Sequence, residues 1–275
     1  MPVVVTLAYL YWTGSDVNWG LGLWALANIL LFHAAGNTWS DYFDYKRGVD
    51  AEDTYGMHTL TEGQFTPREV MRLSCLLLSL ALLSGLGLLC VTGWPLLYIG
   101  LGGLLFTLAY PPLKYCAWGD AVIFITYGIL PLLGTSYVTT GRFEWNVLWN
   151  ALPVGLITVA ILHANNTRDI PTDHRARIAT LAMKVGKRIS IYLYGFEVLF
   201  PFVWIVGCMM CGLLPWWSLL ALLALVPTMG NLGMLRRFMV QGEEAIACLD
   251  EATAKLQLLF SLMLSLSLCL AAWIG

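Results

Sequence analysis

Asn165-Asn166-Thr167-Arg168-Asp169-Ile170-Pro171-Thr172-Asp173 is a polar insert between two long apolar runs. An earlier stretch, Gly36-Asn37-Thr38-Trp39-Ser40-Asp41-Tyr42-Phe43-Asp44-Tyr45-Lys46-Arg47-Gly48-Val49-Asp50, also follows an apolar run. If each begins as the end of a helix, the i,i+4 pairs Asn37/Asp41 and Asn165/Asp169 project from one face. Pro171 interrupts helicity, so Asp169 and Asp173 are expected to bracket a bend. Two carboxylate clusters facing a common space repel each other unless something positive sits between them. Such an arrangement suits Mg2+, which is held by a few carboxylates together with phosphate oxygens. The expectation is a membrane enzyme that binds a diphosphate through Mg2+; the plain alternative is a pair of solvated loops.

Outward from these inserts the chain is apolar. Of its 275 residues 59% are hydrophobic and only 12% charged, against about 25% charged in ordinary soluble domains. A soluble helical protein would have to hide several stretches of membrane length without charged outer faces. The sequence therefore predicts an all-α polytopic membrane protein, residues 1–275 forming one domain. Apolar runs over 2–12, 18–36, 70–91, 94–110, 120–138, 146–164, 189–212, 215–232 and 253–273 give nine spans, the first short of the roughly 20 residues a crossing needs. Pro111-Pro112 is expected to end the fourth, and Pro215 and Pro227 to start or kink the eighth. The long polar segment 37–69 is expected to hold a short helix or lid.

Every Lys and Arg except Arg142 falls in or beside the connections that follow spans 2, 4, 6 and 8. The positive-inside rule assigns those connections, with both aspartate clusters, to the cytoplasmic face. The seven cysteines are scattered without a disulfide framework and read as small buried hydrophobes. The first positive side chain is Lys46, so no cleavable signal peptide is expected. No basic domain or nucleic-acid motif is present, which argues against a nucleic-acid partner.

Asp41 with Asp44, assisted by Asn37, reads as one Mg2+ site; Asp169 with Asp173, assisted by Asn165 or Asn166, reads as another. Asp50 reaches the first cluster from the following loop. Lys46, Arg47, Lys114, Arg168, Arg175 and Arg177 are candidate phosphate contacts. Lys114 and Arg168 are favoured, each lying at a helix boundary near an acidic cluster. Apolar walls between helices would bind a lipid tail and exclude water from a reactive cation, which the rings of Tyr42, Phe43, Tyr45, Tyr110 or Tyr115 could face.

The two acidic motifs resemble those of the UbiA superfamily of intramembrane aromatic prenyltransferases. Three further stretches resemble its 1,4-dihydroxy-2-naphthoate polyprenyltransferase branch, of the menaquinone pathway. These are Tyr110-Pro111-Pro112-Leu113-Lys114-Tyr115 followed by Gly119-Asp120, Leu130 to Gly141, and Thr180 to Gly186. The resemblance implies nine transmembrane helices around a central cavity, a polyprenyl diphosphate donor, an aromatic small-molecule acceptor and surrounding membrane lipids. It also implies Mg2+ on Asp41, Asp44, Asp169 and Asp173, with Asp50 as a further acidic member, and a bacterial inner membrane. Ser40 departs from the usual Asn of the first motif, Arg177-Ile178 from the usual glycine-lysine pair after the second, and Ala51 to Gly63 lacks the branch's arginines. The alternatives are transfer to another aromatic, lipid or tetrapyrrole acceptor, and a lipid or ion transporter.

Overall fold

The computed structural model describes residues 1–51, 54–55 and 59–274, and Glu52 and Asp53 of the polar segment lie outside these. Among the described residues the regular elements are all helical. Eight stretches are long and apolar enough to cross a membrane, and the chain is an integral membrane protein. In order the helices are α1 (Pro2–Trp12), α2 (Trp19–Arg47), α3 (Pro67–Thr92), α4 (Pro95–Lys114), α5 (Gly119–Ile123), α6 (Leu130–Thr140), α7 (Leu148–Arg168), α8 (Ile170–Arg175), α9 (Leu181–Met210), α10 (Leu225–Gln241) and α11 (Leu249–Ile274). A π-helical stretch, Phe124–Ile129, joins α5 to α6, so that Gly119–Thr140 is one span. A 3-10 stretch, Trp216–Ala224, leads into α10.

Local chemistry sets several of these ends. Asn18 caps α2, its side-chain oxygen accepting the Leu21 amide at 3.1 Å, and Gly48 closes the helix in the left-handed region at φ 75°. Thr66 and Glu69 form a reciprocal capping box ahead of α3, with Pro67 in the first turn. At 11 residues, α1 rises about 16 Å, roughly half of an apolar bilayer core. Its Val5 and Leu10 are wholly buried, against α11 and α6, so the first predicted span is a packed short helix.

The core lies where α1, α7, α9 and α11 meet, around Val154, Ile157, Tyr194, Ile205, Phe260 and Leu264. By contrast α3 and α4 turn Leu76, Leu83, Leu105 and other apolar side chains outward, the surface that acyl chains cover.

Three expectations are corrected. Helix α4 runs through Pro111 and Pro112 to Lys114; the Leu108 carbonyl, left free by the missing Pro112 amide, accepts Trp39 Nε1 at 3.3 Å instead. Of the short helix or lid expected in 37–69, no separate helix appears in the described part of 48–66; α2 itself extends to Arg47, and the loop beyond it covers a polar cavity as a lid would. Of the cysteines only Cys208 is buried, the other six being exposed, because a weakly polar thiol is tolerated on a lipid-facing surface as well as in a core.

Between α2, α3, α4 and the Gly119–Thr140 span lies an apolar cavity of about 430 Å3. Its far wall is braced by a close backbone crossing, in which a Cβ on Gly155 would stand 2.8 Å from the Phe124 ring and 3.2 Å from the Gly128 Cα. Small residues permit such approaches between membrane helices. Gly155→Leu should therefore lower the melting temperature in detergent, overpacking of this kind costing about 1–3 kcal/mol. Gly207→Ala, which meets open space, should leave it within a degree or so, the ordinary result for an uncrowded surface change.

Candidate functional site

Helix α2 carries Asn37, Asp41 and Asp44 on one stripe, as the three- and four-residue spacings require. Helix α7 ends at Arg168, Asp169 takes a non-helical turn conformation, and α8 begins with Pro171 in its first turn, bringing Asp173 inward. The expected bend between the two carboxylates is present. These segments enclose a polar cavity of about 310 Å3, lined by Asn37, Asp41, Asp44, Asp50, Lys114, Asn165, Asn166, Asp169 and Asp173. Of the candidate phosphate contacts Lys114 lines it, whereas Lys46, Arg47, Arg168, Arg175 and Arg177 lie outside that lining.

The acids divide into two sorts. Asp44 is fully engaged: its Oδ2 accepts from Lys114 Nζ at 2.9 Å and Ser40 Oγ at 3.1 Å, and its Oδ1 from Tyr115 Oη at 2.7 Å. Asp169 is held bidentately by Arg168, at 2.8 Å and 2.9 Å. That guanidinium also bonds Asn165 Oδ1, and it donates to the Ala247 carbonyl and Asp250 Oδ2 at 3.0 Å each. It stands over the Tyr55 ring at 5.1 Å as well. Arg168 thus ties the bend to α11 from behind the cavity wall. By contrast, among the described residues Asp41 and Asp50 form no ion pair, and the Asp173 carboxylate accepts only a long bond from Thr180 Oγ1 at 3.5 Å.

Burial dominates the protonation of these groups. It raises Asp50 to about 6, with Asp44 adding to the rise, and raises Asp173 to about 7 although Lys114 opposes it. Burial also raises Asp169, against the pull of Arg168, and raises the Tyr115 phenol, to which the Asp44 charge contributes.

Among the other sequence candidates, Tyr110 lines both the polar and the apolar cavity, as does Asn37. Lys46 lies over Tyr42 and Arg47 over Tyr115. Arg177 is exposed at φ 56°, the left-handed region that favours glycine. Thr54, Tyr55, Thr59, Leu60 and Thr61 cover the polar cavity; nothing in the loop's composition marks them. The Ser40 contact to Asp44 is a helical i,i+4 pair and was legible, whereas the Asp250 contact to Arg168 spans 82 residues and was not.

Residues 1–248 match the model of the UbiA prenyltransferase family. The UbiA prenyltransferase domain-containing protein 1 of Xenopus tropicalis is 34% identical over 209 residues, covering 74% of this chain and 60% of that protein. The protein of the same name from Gallus gallus is 30% identical over 276 residues, covering 98% of this chain and 80% of its own length. In three dimensions the chain is similar to a UbiA homolog from Aeropyrum pernix K1, with a TM-score of 0.67 at 14% identity over 98% of this chain and 97% of that one. With motif order, helical architecture and these matches in agreement, the chain belongs to the UbiA prenyltransferase family.

Proposed function

We propose that the chain transfers a polyprenyl group from its diphosphate to an aromatic acceptor, with 1,4-dihydroxy-2-naphthoate the acceptor class to test first. The observation that carries this reading is the junction of two unlike cavities: one acid-lined and polar, one apolar, sharing Asn37 and Tyr110. A lipid diphosphate has those two halves. The naphthoate branch, and with it the bacterial inner membrane, rests on the sequence stretches named above; the two named relatives are animal proteins. The charge distribution supports a cytoplasmic acidic cavity.

The donor set fits Mg2+, since exposed Asp41, half-buried Asp50 and buried Asp173 all turn carboxylates to the polar cavity without a basic partner among the described residues, beside the amides of Asn37, Asn165 and Asn166. Asp44 and Asp169 complete the acidic wall and would serve as ligands if they exchange one of their present partners. When bound, Mg2+ would neutralise the diphosphate and stabilise the charge gathered on it as the allylic carbon-oxygen bond breaks. Lys114, on the cavity wall, supplies a positive charge for a diphosphate oxygen. Arg168 acts through Asp169 and Asn165, which it holds in place. The apolar walls keep water from the allylic cation until the acceptor ring attacks it. In the naphthoate reaction the ring carboxylate then leaves as carbon dioxide.

Purified protein incubated with labelled prenyl diphosphate and Mg2+ should prenylate the naphthoate; product from 4-hydroxybenzoate alone would reject that acceptor, and transport without product would reject the enzyme. Asp41→Asn and Asp173→Asn should each reduce turnover about 10²–10³-fold, the range for losing one preorganised electrostatic contact, while membrane insertion stays intact.

Lys114→Met should raise the requirement for prenyl diphosphate more than for acceptor, with Lys114→Arg recovering part of the loss. It also strands Asp44, at a stability cost of about 3–5 kcal/mol. Adding Asp44→Asn should restore the melting temperature without restoring diphosphate use, an outcome readable from melts and steady-state kinetics side by side.

The raised carboxylates give a pH prediction of definite sign. Between about pH 4, the ordinary carboxylate range, and the folded values of about 6 for Asp50 and about 7 for Asp173, the folded chain binds more protons than the unfolded one. Stability therefore falls as pH rises through that window. Metal-free protein should melt higher at pH 5 than at pH 8. Asp173→Asn should flatten the difference, and Mg2+ should close it from the high-pH side.

A further inference from the structure

The polar groups that the aspartate cavity leaves unused converge on His163. Asp120 of α5, His163 of α7 and Glu197 of α9 are all buried, and one ligand atom from each lies within 4.8 Å of the others. His163 Nδ1 stands 2.9 Å from Asp120 Oδ2 and 3.6 Å from Glu197 Oε1. None of the three lines either cavity described above.

The opposite edge of the ring is held by hydroxyls. Thr167 Oγ1 donates to the His163 carbonyl at 2.7 Å and contacts Ser190 Oγ, which stands 2.8 Å from His163 Nε2. In the arrangement where Ser190 donates to Thr167 and accepts from Nε2, a neutral ring turns the Nδ1 lone pair toward two carboxylates. A metal-bound histidine is held in the same way, its second N–H anchored by a neighbouring oxygen.

The carboxylates supply a second, independent indication. Glu197 makes no hydrogen bond among the described residues, and its Oε2 and the Oδ1 of Asp120 are buried without a partner. Their side chains are only 9% and 10% exposed. Neither forms an ion pair with a lysine or arginine among the described residues. Two carboxylates and a neutral imidazole carry two negative charges inside an apolar bundle, where unpaired charge is strongly disfavoured. One divalent ion cancels them. Two protons would do the same, and they are the competing occupant.

We propose that Asp120, His163 and Glu197 form a second metal site, separate from the aspartate cavity, that takes one divalent transition-metal ion of the zinc class. An imidazole nitrogen with carboxylate oxygens is a zinc donor set, whereas Mg2+ prefers oxygen alone. The ion would bind α5, α7 and α9 together just inside the bend at Asp169, His163 preceding Asn165 by two residues on α7.

The full chain, purified in detergent, exposed to Zn2+ and then washed in Mg2+ buffer, should retain about one zinc per chain by elemental mass analysis, the stoichiometry of a three-ligand site. Zinc should raise the melting temperature of chelator-stripped protein where Mg2+ does not. Ser190→Ala should weaken retention about 10–100-fold, as loss of a histidine-orienting partner does, and Glu197→Gln should abolish both retention and the thermal shift. Asp41→Asn should keep the zinc. Because Glu197 has no hydrogen bond to lose, Glu197→Gln should fold; Asp120→Asn provides the same readout independently. No retained zinc in wild type, equal retention in Glu197→Gln and Asp120→Asn, or a Glu197→Leu chain as stable as zinc-loaded wild type would overturn the proposal in favour of the proton pair.

Discussion

The pairing of Lys114 with Asp44 is the contact on which the arrangement at the acid-rich end depends. Both groups are buried, each from the last turns of a membrane-spanning helix, and neither could be kept charged alone in that setting. The pair fixes the ends of α2 and α4 against each other. Ser40 and Tyr115 also donate to Asp44, so its position is set by several bonds. Asp41, one helical turn from an anchored neighbour, is thereby presented to the cavity with no basic partner among the described residues.

Arg168 does the corresponding task on the other side. By gripping Asp169 and Asn165 while bonding to the Ala247 carbonyl and Asp250, it fastens the break between α7 and α8 to the start of α11. The two acidic segments are consequently held by different cations in different ways. One cation stands in the cavity wall, where a ligand can compete for it. The other stands behind it, where its donors are already taken by the protein.

How far the sequence could be read follows from the range of the forces involved. Membrane-length apolar runs reveal the spans because burial of a helix in lipid depends on local composition, and the stripe of Asn37, Asp41 and Asp44 follows from helical period alone. Pro171 announced the bend at Asp169 for the same local reason. Prolines 111 and 112 misled because a carbonyl they free, that of Leu108, is taken up by Trp39, 69 residues away in the chain. The partner of Arg168, the loop residue Tyr55 over its guanidinium, and the convergence of Asp120 with His163 and Glu197 join segments far apart in the chain, and no periodicity encodes them. The exposed cysteines escaped because an apolar solvent removes the usual distinction between inside and outside.

The π-helical stretch Phe124–Ile129 separates two parts of one span that serve different neighbours. Before it, Asp120 turns toward His163 on α7 while Val122 and Ile123 reach the apolar cavity; from within it and beyond, Tyr127, Leu130 and Thr135 continue that cavity wall, Tyr127 bonding His33 on α2 at 2.6 Å. A helix advances about 100° per residue, and a π turn holds one residue more than an α turn. The bulge therefore acts as a rotational offset between the two faces. Straightening it by removing a single residue would swing everything from Leu130 onward by more than a quarter turn relative to Asp120. Leu130 and Thr135 would then turn away from the cavity while Asp120 kept its histidine, so the shape of the apolar chamber depends on a single extra residue in the backbone.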